Sequence, residues 1–110
     1  MVVWWGTRVE CVSALRRQVR EGALTSVGEH QAREILATLS RVWAEIQPLE
    51  AVRLSAERLL AVHALRAADA LQLAAALEWC DSRPAGRGLV SFDDRLRAAA
   101  EREGFAVLPG

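Results

Sequence analysis

Apolar residues return at three- and four-residue steps through Val9, Val12, Leu15 and Val19, which predicts a helix from about Thr7 to Glu21, stopped by Gly22. Val2 to Trp5, just before it, is a short β-prone run. Ser26 followed three residues later by Glu29 has the order of a capping box. It opens a second predicted helix that runs to about Glu45 and buries Ile35, Leu36, Leu39, Val42 and Trp43, with Pro48 disfavouring helix at Gln47. A third helix, from about Glu50 to His63, carries Val52, Ala56, Leu59 and Leu60 on one stripe. The fourth, Ala67 to about Asp81, is apolar nearly all round and so is expected to be central and buried.

Arg83-Pro84-Ala85-Gly86-Arg87-Gly88 reads as a loop from its glycine and proline content. Leu89 to Phe92 then reads as a strand, Asp93 to Glu103 as a helix stopped by Gly104, and Phe105 to Leu108 as a last strand. Strands alternating with helices predict an α/β fold, a parallel sheet flanked by helices in one domain spanning residues 1–110. Two strands and one short β-prone run make a thin sheet for so many helices. The expectation is that a central strand is missing.

Composition narrows the class. The chain has 110 residues, 52% of them hydrophobic and 25% charged, which is globular rather than disordered. No run approaches the roughly 20 apolar residues that span a bilayer. The apolar start lacks a positive region and is soon followed by Arg8 and Glu10, so it does not read as a signal peptide; a cytoplasmic location is expected. Formal charges cancel, which argues against a global basic field for nucleic acid while leaving room for local patches. All basic side chains are arginine. Cys11 and Cys80 have no ligand-like neighbours and read as small core residues.

Three carboxylates stand out. Asp69 sits in the first turn of the most apolar helix, with Gln72 the next polar residue on its face. A favourable helix-dipole interaction is one account of it. The other is that it faces a cleft, a cation or an arginine, because an unpaired buried charge is not tolerated. Asp93 lies between a strand and a helix, where it is a good N-cap, and also where open α/β folds place ligands. Glu10 shares a helix face with Ser13 and Arg17, either as a solvated stripe or as part of a site. Together, carboxylates from three separated elements are the makings of a cage for a hard divalent cation, Mg²⁺ or Mn²⁺, that could assist attack on a phosphodiester. His30 and His63 have no paired nucleophile and receive no catalytic role.

The segment Leu65-Arg66-Ala67-Ala68-Asp69-Ala70-Leu71-Gln72-Leu73-Ala74 closely resembles the start of a helix in PIN-domain toxins of the VapC type. Leu89-Val90-Ser91-Phe92-Asp93-Asp94-Arg95-Leu96, Gly104-Phe105-Ala106-Val107-Leu108-Pro109 and Thr7 to Arg17 resemble further segments of that family in the same order, so the likeness covers essentially the whole chain. The resemblance implies a PIN-like fold and a Mg²⁺- or Mn²⁺-dependent endoribonuclease, with Glu10, Asp69 and Asp93 as its catalytic and metal-binding acids and Ser91 supporting them where the family commonly has threonine. It also implies transfer or ribosomal RNA as substrate, a VapB-like antitoxin as partner, and a homodimer. Arg66, Arg83, Arg87 and Arg95 become candidates for the RNA backbone, beside their alternative as solvated loop and helix ends.

The departure from the family is at the start, where the strand ending in the first aspartate has no counterpart before Val2. The expectation is an N-terminally truncated PIN-like domain. Two alternatives stay open: an inactive PIN-like protein that still binds an antitoxin or partner subunit, and a structural helical module in which Trp4, Trp5, Trp43 and Trp79 form core or interface.

Overall fold

The computed structural model describes residues 1–110, in the order β1 (Val2–Trp4), α1 (Thr7–Arg20), α2 (Ser26–Ser40), β2 (Ala44–Ile46), α3 (Glu50–Val62), α4 (Ala67–Trp79), β3 (Gly88–Val90), α5 (Asp94–Glu103) and β4 (Ala106–Leu108). The mixed α/β class agrees with the sequence. The expected single parallel sheet does not form: β1 pairs with β2, and β3 with β4, as two separate parallel pairs. The chain divides into two compact units, Met1–Glu45 and Ile46–Gly110. No helix is long and apolar enough to cross a membrane.

In the first unit, α1 ends as its sequence predicts. Gly22 adopts φ 77°, Ala23 N–H donates to the Gln18 carbonyl at 2.9 Å and Gly22 N–H to Val19 at 3.1 Å, closing a Schellman motif. The cap of α2 is Thr25 rather than Ser26: its Oγ1 accepts from Gly28 N–H at 3.0 Å. Glu29 is therefore one residue too far along to complete a capping box. It is buried instead, and pairs with Arg16 of α1 at 3.0 Å.

The second helix is also shorter than expected. It stops at Ser40, and the residues read as its last turn become β2, where Ala44 N–H donates to the Met1 carbonyl at 3.0 Å. That pairing joins residues far apart in sequence, so local periodicity could not reveal it. Of the apolar residues expected to be buried on α2, only Leu36 is; Ile35, Leu39 and Val42 are exposed and Trp43 is half-buried, its Nε1–H donating to Glu45 at 3.1 Å.

The second unit has a conventional core. Val52, Ala56 and Leu59 of α3, Ala70, Leu73, Ala74, Ala75 and Leu77 of α4, and Leu96, Ala99 and Ala100 of α5 are buried, together with Phe105. The stripe on α3 matches the sequence except for exposed Leu60, and α4 is the central helix it was expected to be. Alanines at its contact face let backbones approach closely. Each fully buried leucine contributes about 1.5–3 kcal/mol relative to exposure.

Strands β3 and β4 run parallel, in the register Gly88↔Ala106, Leu89↔Val107 and Val90↔Leu108. Parallel neighbours need a crossover connection, and α5 provides it. Gly104 ends α5 at φ 110°, with Phe105 N–H donating to Ala100 at 3.0 Å. Each strand is one residue shorter than its β-prone run: β3 begins at Gly88, read as loop, and ends at Val90 because Ser91 and Phe92 already lead into α5, and β4 begins at Ala106 rather than Phe105. Trp4 is buried, whereas Trp5 and Trp79 are exposed, so the four tryptophans form no common core. Cys80 is buried and Cys11 half-buried, both as free thiols.

Candidate carboxylate site at the starts of two helices

Asp69 lies at the third position of α4, where the backbone N–H of Arg66, the residue at the helix N-cap, favours its charged form. A carboxylate reaching back to the N-cap amide is half of a capping box. Asp93 is the N-cap of α5, with Oδ1 accepting from Leu96 N–H at 2.9 Å. The helix-end roles proposed for both residues from sequence are therefore filled.

Capping explains each carboxylate singly. It does not explain their proximity. Asp69 titrates above its ordinary range, first because half-burial disfavours the charged form and then because the Asp93 charge repels it; the Arg66 N–H and the charges of Arg66 and Arg95 pull the other way and do not cancel the rise. The starts of α4 and α5, the second capped by Asp93 itself, thus bring two like charges within electrostatic reach of each other and of two arginines. Such an arrangement is unfavourable for stability and is characteristic of sites that take a cation or a phosphate.

Ser91 lies against the start of α5. Its Oγ accepts from Asp93 N–H at 3.1 Å, while its own N–H donates to the Leu108 carbonyl at 3.0 Å. Arg97, which the sequence reading missed, clamps the same segment: one guanidinium nitrogen donates to the Ser91 carbonyl at 2.7 Å and the other to Pro109 at 2.6 Å. Its position one turn after Asp93, on the same face of α5, was the available signal. Arg66 and Arg95 are exposed. Arg87 is engaged elsewhere, its guanidinium 5.1 Å from the centre of the Trp79 ring, and Arg83 is exposed.

Glu10 belongs to the first unit, where it is half-buried in the first turn of α1 and its charge, after burial, helps raise the Cys11 thiol above its ordinary pKa. No three His, Cys, Asp or Glu residues assemble as a ready-made metal cage. The donor set in the second unit is the Asp69 and Asp93 pair. Two carboxylates suit Mg²⁺ or Mn²⁺, which retain several waters, and a cation would offset the Asp93 repulsion that adds to the burial raising Asp69.

His63, read as the last residue of the third helix, is its C-cap. It follows the last turn of α3, its side chain is 4% exposed, and Nε2 lies 2.6 Å from Glu103 Oε2, while Arg58 donates to Glu103 Oε1 at 3.1 Å. Comparison of the chain with family models, with curated proteins and with solved structures finds no match.

Proposed function

We propose that the chain is a divalent-metal-dependent endoribonuclease of the PIN-domain, VapC type, with Asp69 and Asp93 as its paired acids. The observation that carries this reading is the like-charge pair at the starts of α4 and α5, within the influence of Arg66 and Arg95. Asp69 and Asp93 would hold Mg²⁺ or Mn²⁺. When bound, the ion supplies charge that offsets what develops on the phosphate oxygens during attack by water. Arg66 and Arg95 bind the RNA backbone on either side, and Ser91 with Arg97 keeps Asp93 in place.

Transfer or ribosomal RNA is the proposed substrate, in the cytoplasm, and a VapB-like antitoxin and a second copy of the chain are the proposed partners. Exposed Val27, Ile35, Leu39 and Val42 on and just beyond α2 offer apolar surface for such partners. The same surface favours the second reading, a PIN-like protein that binds a partner without cleaving RNA.

The test is cleavage of transfer and ribosomal RNA in Mg²⁺ or Mn²⁺, against the same reaction in chelator. Metal-dependent cleavage that falls by more than about 10- to 100-fold in Asp69→Asn is expected, since even indirect supports of a metal site cost that much. The metal should also raise the melting temperature of the wild type, and not of the variant, by mass action. Cleavage undiminished in Asp69→Asn would refute the reading; metal-independent partner binding without cleavage would favour the second.

A further inference from the structure

Arg97 of α5 donates from two guanidinium nitrogens to two backbone carbonyls far apart in sequence, Ser91 at 2.7 Å and Pro109 at 2.6 Å. The planar fork is rigid, so acceptors at both nitrogens fix its direction as well as its place. One acceptor lies before α5 and the other after β4. The half-buried side chain thus straps the segment that enters the helix to the segment that leaves the strand.

What hangs from the strap is Asp93. Ser91 N–H donates to the Leu108 carbonyl at 3.0 Å, the Ser91 carbonyl takes Arg97, and Ser91 Oγ accepts the Asp93 N–H at 3.1 Å. Asp93 then caps α5 through Oδ1, 2.9 Å from Leu96 N, and its carbonyl accepts the Arg97 N–H at 2.9 Å. Burial does not hold this segment. Val90 and Phe92 are 67% and 84% exposed and Asp93 is exposed too, so hydrophobic packing has little surface to act on and the hydrogen bonds decide where the backbone runs. Both backbone bonds of Ser91 lead to the Leu108-Pro109 segment, one directly and one through Arg97.

We infer that the Leu108-Pro109 segment sets the position of Asp93, with Arg97 as the positioning residue that couples the two; this rests on the reading of Asp93 as a metal-binding acid. While the strap is closed, the carboxylate meets the ion with its backbone already ordered. Releasing Arg97 from either carbonyl leaves Ser91 to Asp93 on fewer bonds and with little packing, and the ordering has to be supplied when the ion binds. Metal affinity then depends on two residues whose side chains offer the ion no donor, which makes the exit of β4 a control point for the site.

The experiment is Mn²⁺ titration of the full chain, with the ion followed by electron paramagnetic resonance, on the wild type, Arg97→Met, Arg97→Lys, Pro109→Gly and the Arg97→Met, Pro109→Gly double variant. Arg97→Met is expected to weaken Mn²⁺ binding about 10- to 100-fold, the usual cost of losing a support behind a metal ligand. Arg97→Lys keeps the charge without the fork and should lie close to Arg97→Met; it carries the same comparison if Arg97→Met does not fold. Pro109→Gly loosens the backbone that bears one acceptor and should weaken the ion as well, and the double variant should lose no more than Arg97→Met alone. Wild-type affinity in Arg97→Met overturns the inference, as do losses that add in the double variant. Full affinity in Arg97→Lys overturns it too, because charge alone then suffices. Melting temperatures score the coupling without metal: Asp93→Ala should lower that of the wild type, and lower that of Arg97→Met by clearly less, whereas equal drops overturn the inference. A wild type that binds no Mn²⁺ while the melting temperatures show the coupling removes the metal reading of Asp93 and keeps the strap.

Discussion

Replacing Glu103 by alanine removes the acceptor on which the end of α5 is tied to α3. The carboxylate takes His63 Nε2 at 2.6 Å and Arg58 at 3.1 Å. A hydrogen bond to a charged group contributes roughly 1.5–3 kcal/mol. The Arg58 pair adds only about 0–1 kcal/mol, because Arg58 is half-exposed. His63 Nδ1 already has no partner, so the substitution leaves both nitrogens of a buried ring unpaired. The expected loss is about 2–4 kcal/mol, a large share of the ~5–15 kcal/mol that holds a domain of this kind together. At roughly 4 °C per kcal/mol the melting temperature should fall by about 10 °C.

Urea unfolding followed by circular dichroism at neutral pH measures the loss, and replacing His63 and Glu103 together by leucine should recover most of it, since no polar group is then stranded. Acid provides a second reading. Burial pushes the Glu103 carboxyl up, but the hydrogen bonds and charges of His63 and Arg58 outweigh it and hold the group below its ordinary value near 4.5. A depressed carboxyl contributes stability that is present above the unfolded value and lost as pH falls through the folded one. The stability gap between wild type and Glu103→Gln should therefore be full above about pH 4.5 and shrink in more acid solution. A loss below about 1 kcal/mol for Glu103→Ala, or a gap that ignores pH, would refute the argument.

Asp93→Asn should keep the α5 cap and unfold within a few tenths of a kcal/mol of wild type while losing RNA cleavage, whereas Asp93→Ala should lose cleavage and also about 1 kcal/mol of stability. Equal unfolding midpoints for the two would show that the cap carries no weight. Gly104→Ala forces φ 110° on a residue with a side chain and sets its Cβ 3.0 Å from Pro84 Cγ; a loss of at least about 1–2 kcal/mol is expected in thermal unfolding, and an unchanged midpoint would contradict it.

The sequence by itself determined the elements whose signals are local. The stripe Val52, Ala56, Leu59, the all-round apolar α4, and the stops at Gly22 and Gly104 were legible because helical period and left-handed caps depend on residues within a turn or two. It also marked Asp69 and Asp93 as unusual, through polarity set against apolar surroundings. What only the tertiary structure decided is what those residues meet. The repulsion between Asp69 and Asp93 and the tie between His63 and Glu103 join positions many residues apart, and no periodicity encodes such pairings. The same reason accounts for the errors. Ala44 and Glu45, read as the end of a helix, instead pair with β1, and the expected single sheet divides into two pairs, because strand partners are chosen by distant backbone groups rather than by neighbours in sequence.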